Sequence, residues 1–233
     1  MKKINPESVL ESFESEIDTL VSFLQRVSNA LRGTPSEKAD LSRLSESVFI
    51  SAAVAFEGFF SDVFLAFVNK DSRPFLSSKE NEITKAIKEQ FGDWYSSKYK
   101  IGIVKHLSIK ELYPLLDPKG WNITFQNCRG MVSRAKKLLD PQCSAKYRML
   151  SAKERKFCDA VKFIRNHLAH KSDASLSAMN ESLFSLERSI PGLGRAGNKI
   201  TDVGVFLKTK IDGGSRLSVC LEQMVLIARL IVL

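Results

Sequence analysis

Residues 165–170 read Arg-Asn-His-Leu-Ala-His and hold two of the three histidines in the chain. Cleaving an RNA phosphodiester without a metal needs a base for the 2′-hydroxyl proton, an acid for the departing 5′-oxygen, and a cation for the charge that builds on phosphorus. Histidine titrates near neutral pH and serves as base or acid. Arginine stays charged and binds two phosphate oxygens at once. Arg165 and His170 are therefore the candidate catalytic pair. Asn166, one turn before His170, is placed to orient the imidazole or to hold a phosphate. Glu57 is a supporting candidate. It stands in an apolar stretch with Ala53, Val54, Phe60 and Ser61 at helical spacing. A buried carboxylate needs a partner, and Arg165 suits it. A carboxylate at the edge of the stripe that reaches water fits the same spacing.

The element that carries the motif is a helix opened by the capping box Ser151…Glu154 and running from Ala152 to His170. At about 100° per residue, Phe157, Val161, Ile164 and Leu168 fall within about 60° of one another, which makes them its core stripe. Arg155, Asp159, Asn166 and His170 fall on the opposite side, with Lys162 nearby. Arg155, Lys162 and Lys171 are the cations expected to touch RNA. Arg165 lies on the flank, about 140° around the axis from His170. One copy of the helix therefore does not present arginine and histidine together. Two copies packed through this face would surround a shared groove with both pairs, and a symmetric dimer is the commonest oligomer.

The charge distribution agrees with a polyanionic partner. The chain has 233 residues and a formal charge of +9. Residues 129–171 hold 12 Lys+Arg against 3 Asp+Glu, so this block carries the whole excess. A concentrated basic segment gains from counterion release on phosphate. Solvated helix faces would show the same composition.

Helix signals dominate the rest. Asn5-Pro6-Glu7 opens a first helix that Gly33 closes. Thr34-Pro35-Ser36-Glu37 reads as a capping box opening a helix to about residue 69, with Phe49, Ala52, Phe56, Phe60, Phe64 and Phe67 on its broad apolar face. Ser77…Glu80 opens a helix that ends by Gly92, and Ser108…Glu111 a short one limited by Pro114 and Asp117-Pro118-Lys119-Gly120. A further helix spans Thr124 to Leu139, stopped by Asp140-Pro141. Beyond the motif helix, a short helix runs to about Arg188, then a loop through Gly197, a strand over Val203–Ile211 with a turn near Gly213-Gly214, and a last amphipathic helix over 216–233. The fold class is all-α, as one domain over 1–233 with a loop-rich insertion around 189–214.

Other signals point elsewhere or nowhere. Lys2, Lys3 and Asn5-Pro6-Glu7 lead into a charged helix rather than a secretory leader. The most apolar run, Val48 to Val68, is interrupted by Glu57 and Asp62, which argues against a membrane span. Cys128, Cys143, Cys158 and Cys220 form no Cys-x-x-Cys pair and read as reduced thiols of a cytoplasmic protein; neither a metal site nor a cofactor is expected. Gly192-Leu193-Gly194-Arg195-Ala196-Gly197 matches Gly-x-Gly-x-x-Gly, but a dinucleotide site needs a strand before it and a helix after it. A mobile loop is expected there, with Arg195 and Lys199 available to RNA. Trp94, Tyr95 and Tyr99, among Lys98 and Lys100, are suited to stack on unpaired bases. Aromatics after a helix end more often pack under a loop, which is the expectation here. His106 stands alone in sequence.

Arg165-Asn166-His167-Leu168-Ala169-His170 resembles the Arg-x4–6-His motif of the HEPN superfamily, in which the polar residue after the arginine is often asparagine. Ala52-Ala53-Val54-Ala55-Phe56-Glu57-Gly58-Phe59-Phe60 looks like the earlier helix that packs beside the motif helix in that superfamily. The layout is most similar to the larger HEPN proteins of bacterial defence and toxin loci, although the diagnostic part covers only residues 165–170. The resemblance implies a metal-independent endoribonuclease, active as a homodimer with the motif at the interface. Arg165 and His170 would be catalytic and Asn166 would assist. An antitoxin or a defence-system protein would be a partner. Members paired with a nucleotidyltransferase antitoxin often carry tyrosine two residues after the histidine; Ser172 stands here, which argues against adenylylation at that position. His167 has no counterpart in the motif and is expected to be a flank residue. A non-catalytic HEPN-like module that binds RNA or a partner protein is the competing expectation.

Overall fold

The computed structural model describes residues 4–117 and 123–233. Lys2, Lys3 and the Pro118-Lys119-Gly120 part of the expected helix stop lie outside the described residues. The fold is mainly α: 75% helical, with two strands of two residues each. The helices are α1 (Pro6–Leu31), α2 (Glu37–Lys70), α3 (Arg73–Phe91), α4 (Asp93–Lys98), α5 (Ile109–Leu116), α6 (Cys128–Leu138), α7 (Pro141–Arg148), α8 (Ala152–His170), α9 (Asp173–Glu187), α10 (Val203–Lys208) and α11 (Arg216–Val232). Strands β1 (Lys210–Ile211) and β2 (Gly214–Ser215) form an antiparallel hairpin.

The chain divides into two compact units: Met1–Val9 with Ser61–Met149, and Leu10–Phe60 with Leu150–Leu233. Helix α2 contributes to both. Its first part, in the second unit, is amphipathic: Val48, Phe49, Ala52, Ala53, Phe56, Phe59 and Phe60 are buried, whereas Ser51, Val54 and Gly58 face water. Its last part, in the first unit, is buried on all sides from Val63 to Asn69, as expected of a helix that is apolar all round. By length and composition α2 is the one described helix that could cross a bilayer, and 56% of that window is buried within the protein.

In the first unit Phe64 and Phe67 pack edge-on against the fully buried Tyr147, with ring centroids 6.4 and 6.1 Å apart. The second unit packs Phe13, Phe56, Phe59 and Phe60 as a ring cluster, with Phe56 and Phe60 4.6 Å apart. In the same unit the buried faces of α8, α9 and α11 supply Phe157, Ile164, Leu183, Met224 and Ile227. Truncating a buried phenylalanine costs about 3–5 kcal/mol, so rings of this kind dominate the stability of each unit.

Several boundaries differ from the sequence expectation. The Thr34–Glu37 box is not reciprocal: the Glu37 carboxylate accepts the Gly33 N–H (2.8 Å), and the Thr34 hydroxyl donates back to the Leu31 carbonyl. Helix α3 begins at Arg73, with Pro74 in its first turn, so Ser77 and Glu80 are interior residues. Freed from a capping role, Glu80 accepts the Ile101 N–H. Helix α6 begins at Cys128 rather than Thr124, because Asn127 caps it through the Gly130 N–H (2.7 Å). Asp140-Pro141 ends α6 but also starts α7: Asp140 accepts the N–H groups of Gln142 and Cys143, and Pro141 takes the first helical position. Most of the expected strand over Val203–Ile211 is helix α10, capped by Asp202 through the Val205 N–H; only Lys210 and Ile211 pair as strand.

Candidate functional site

Helix α8 begins and ends as the sequence specifies. The Ser151 hydroxyl accepts the Glu154 N–H, and the Glu154 carboxylate accepts the Ser151 N–H, so two free donors of the first turn are satisfied reciprocally. Phe157, Val161, Ile164 and Leu168 are buried, which fixes the rotation of the helix and so the direction of every motif side chain. Its C-terminus is less ordinary. Lys171 adopts the left-handed conformation (φ 48°, ψ 31°), the only non-glycine with positive φ among the described residues, and donates its N–H to the His167 carbonyl. Placing a side chain there costs about 1–2 kcal/mol relative to helical backbone. Only Lys171 and Ser172 separate α8 from α9.

Arg165 is held by two acceptors. Its Nη2 donates to Glu57 Oε2 at 3.1 Å and its Nη1 to Asn166 Oδ1 at 3.0 Å. Arg165 and Glu57 are about one-third exposed, 31% and 33%, so the pair is neither sealed in the core nor free in solvent. An ion pair at this exposure is worth about 1 kcal/mol or less, and its main effect is to aim the guanidinium. Two of the five guanidinium N–H groups are thereby engaged, leaving three for another acceptor. The structure therefore brings Arg165, Asn166 and Glu57 together.

It does not bring Arg165 to His170 within one chain. Five residues along a helix place them about 7.5 Å apart in rise and about 140° apart in direction. The His170 side chain is exposed and hydrogen-bonds to no described residue. Of the expected RNA contacts, Lys171 is exposed, while Lys162 and Arg155 are half-buried, with the Arg155 Nε enclosed. The basic block is divided between the units: α6 and α7 lie in the first and α8 in the second, with six Lys+Arg on each side of the Met149/Leu150 boundary.

His167 plays a larger part than the sequence suggested. Its Nδ1 lies 3.1 Å from the Ser175 hydroxyl oxygen on α9. The same hydroxyl lies 2.8 Å from the Ser172 carbonyl oxygen, so it links the His167 ring to the start of α9. His167 and His170 are three residues apart and fall within about 60° of each other around the axis, so both histidines share one flank. The signal in sequence was faint: Ser172-x-x-Ser175 reads only as a helix cap.

The other signals resolve as structure. Both oxygens of the Glu187 carboxylate accept the Gly192 N–H (3.0 Å), and one also accepts the Gly194 N–H (2.9 Å). The amides that would cradle a pyrophosphate are thus filled by a side chain of the protein itself. A Cβ on Gly194 would lie 2.1 Å from the Leu183 carbonyl oxygen, so glycine there serves close packing of the loop on α9. His106 Nδ1 bonds the Asn69 carbonyl at 2.7 Å, a structural role. Trp94 and Tyr95 do not pack under a loop; they lie on α4, 67% and 58% exposed, in an edge contact at 5.0 Å. Burial pushes the Cys143 and Cys220 thiols up to about 12, which removes both as nucleophiles at neutral pH. Among the described residues no group of three His, Cys, Asp or Glu side chains is placed to hold a metal ion.

Comparison with family models, with curated proteins and with solved structures gives no match to this chain.

Proposed function

We propose that the protein is a metal-independent endoribonuclease that acts as a homodimer through a composite site built from Arg165, Asn166 and His170 of both copies. The observation that carries this reading is the unequal treatment of the motif: Arg165 is aimed by Glu57 and Asn166, while His170 stands exposed and unengaged at the end of the same helix. An aimed cation and a solvent-facing imidazole are the two groups that the reaction requires. Because they diverge on one helix, a second copy must complete the site.

In the proposed step one His170 takes the 2′-hydroxyl proton and the 2′-oxygen attacks phosphorus. The bond to the 5′-oxygen breaks, and the protonated His170 of the other copy supplies that oxygen with its proton. The products are a 2′,3′-cyclic phosphate and a 5′-hydroxyl end. Arg165 neutralises the phosphorane, and Glu57 is a positioning residue that acts through Arg165. The resemblance to HEPN proteins implies a cytoplasmic toxin or antiphage effector, partnered by an antitoxin or defence-system protein.

Mixing wild type with an inactive variant tests the composite site. Arg165→Ala and His170→Ala are each expected to abolish cleavage, and because the step uses the histidine of both copies, subunit exchange with excess His170→Ala is expected to remove most wild-type activity. Wild-type activity that stays proportional to the wild-type subunits present, although heterodimers form, would exclude a site shared between copies.

A further inference from the structure

A cleft of about 480 Å³ opens in the second unit between the glycine-rich loop and α10. Arg195, Lys199 and Arg216 line it. Both arginines are pinned, but by neutral groups. Arg195 donates through Nε to the Asn180 carbonyl (2.8 Å) and through Nη1 to the Gly197 carbonyl (2.7 Å), with its guanidinium over the Phe184 ring. Arg216 donates through Nε to the Gly192 carbonyl (2.7 Å) and through Nη1 to the Phe206 carbonyl (2.6 Å), and lies 4.0 Å from the centre of the Phe206 ring. Among the described residues neither meets a carboxylate within ion-pair distance.

The two acids on the same walls do not offset this charge in a direct contact. Glu187 is turned onto the Gly192 and Gly194 amides, and Asp202 onto the amide that caps α10. Each guanidinium keeps three of its five N–H groups beyond these two bonds. Half-burying a cation without a direct ion pair is unfavourable, and burial weakens the hold of Arg216 on its proton despite the opposing pull of the nearby Glu187. The rigid carbonyl and ring contacts fix both guanidiniums before any ligand arrives, which lowers the entropy lost on binding. Asn198 and Thr201 add neutral hydrogen-bonding groups to the wall, as ribose or phosphate oxygens would require. The volume falls in the range of small-molecule sites, about 300–1,000 Å³.

We infer that this cleft binds a phosphate group, carried either by a free nucleotide or by an RNA backbone, through Arg195 and Arg216 with Lys199 at its edge. The inference goes beyond the ribonuclease reading and does not depend on it. Arginine suits the role because its planar fork meets two phosphate oxygens at once. The glycine-rich loop then contributes through Arg195, not through its amides.

Isothermal titration of the full chain with AMP, with ATP and with a 2′-O-methyl oligoribonucleotide, which 2′-hydroxyl attack cannot cleave, distinguishes the sources. The wild type is expected to give saturable binding to at least one probe. Arg195→Gln should weaken it tenfold or more, and Lys199→Gln, at an exposed position, about threefold at low salt. Nucleotide binding alone would assign a small-molecule site; oligoribonucleotide binding alone would assign a backbone contact. Lack of saturable binding to all three probes would overturn the inference. So would equal affinities in the wild type, Arg195→Gln and Lys199→Gln, provided the variants melt like the wild type.

Discussion

Arg134 on α6 and Arg165 on α8 come from the same basic block, both half-buried, yet the two units treat them in opposite ways. In the first unit Arg134 lies over the rings of Phe64 and Phe125, 5.6 and 5.8 Å from their centres, with the Leu116 carbonyl 3.4 Å away. Burial lowers its proton affinity. The neighbouring Lys137 pairs with Glu82, whose carboxyl is held below its usual range by Lys137 and Lys79. In the second unit Arg165 receives a carboxylate from α2 and an amide from its own helix, and keeps donors to spare. Arg134 is thus held as packing material and Arg165 as an aimed charge. Basic residues that look equivalent as a run of charge separate once their neighbours are known, and the total charge of the block is a poor guide to which of them can meet RNA.

The widest separation should appear in cleavage. Arg165→Ala is expected to lower RNA cleavage by about 10²–10⁴-fold, while chemical denaturation shows a loss of less than about 1 kcal/mol. Arg134→Ala should do the reverse: about 1–3 kcal/mol less stable through lost ring contact, with kcat unchanged in the folded fraction. If Arg134→Ala abolishes cleavage at full stability, the division between packing and aimed arginines is wrong. Glu57→Gln keeps the shape of the acceptor but removes its charge. We expect a roughly tenfold fall in kcat, equivalent to about 1.4 kcal/mol, with little change in melting temperature. An unchanged rate would reduce Glu57 to a surface partner. The smallest effect belongs to the end of α8. Lys171→Gly relieves the left-handed backbone and should stabilise the protein by about 0.5–1 kcal/mol, while weakening RNA binding by the loss of one exposed cation. A destabilised Lys171→Gly would mean that Lys171 makes contacts that outweigh its backbone cost.

Much of the motif helix was legible in the sequence because its signals are local. Ser151 and Glu154 sit at box spacing, and Phe157, Val161, Ile164 and Leu168 repeat at helical period, so the start and the buried face could be read directly. The Arg165–Glu57 contact was legible for a different reason: a carboxylate in an apolar helix needs a partner or water, and Glu57, one-third exposed, has both. The misplaced helix boundaries share one cause. Asp-Pro and Asx or Ser residues both end and begin helices: Asp140-Pro141 stops α6 and also starts α7, and Asp202 caps α10 within a stretch whose valines suit a strand. The His167–Ser175 contact and the left-handed Lys171 depend on how closely α9 follows α8, which no single-residue preference encodes. The exposure of Trp94 and Tyr95 was likewise settled by an unexpected helix, α4, that carries them out of the core.

The most direct measurement is cleavage of total cellular RNA by the purified protein in excess EDTA, beside His170→Ala. Wild-type cleavage leaving 2′,3′-cyclic phosphate ends, lost in a folded dimeric His170→Ala, is the predicted result. Equal cleavage by both proteins would contradict the assignment of His170. An inert wild type, tested as a dimer on the same RNA, would contradict the enzyme itself and leave a binding module in its place.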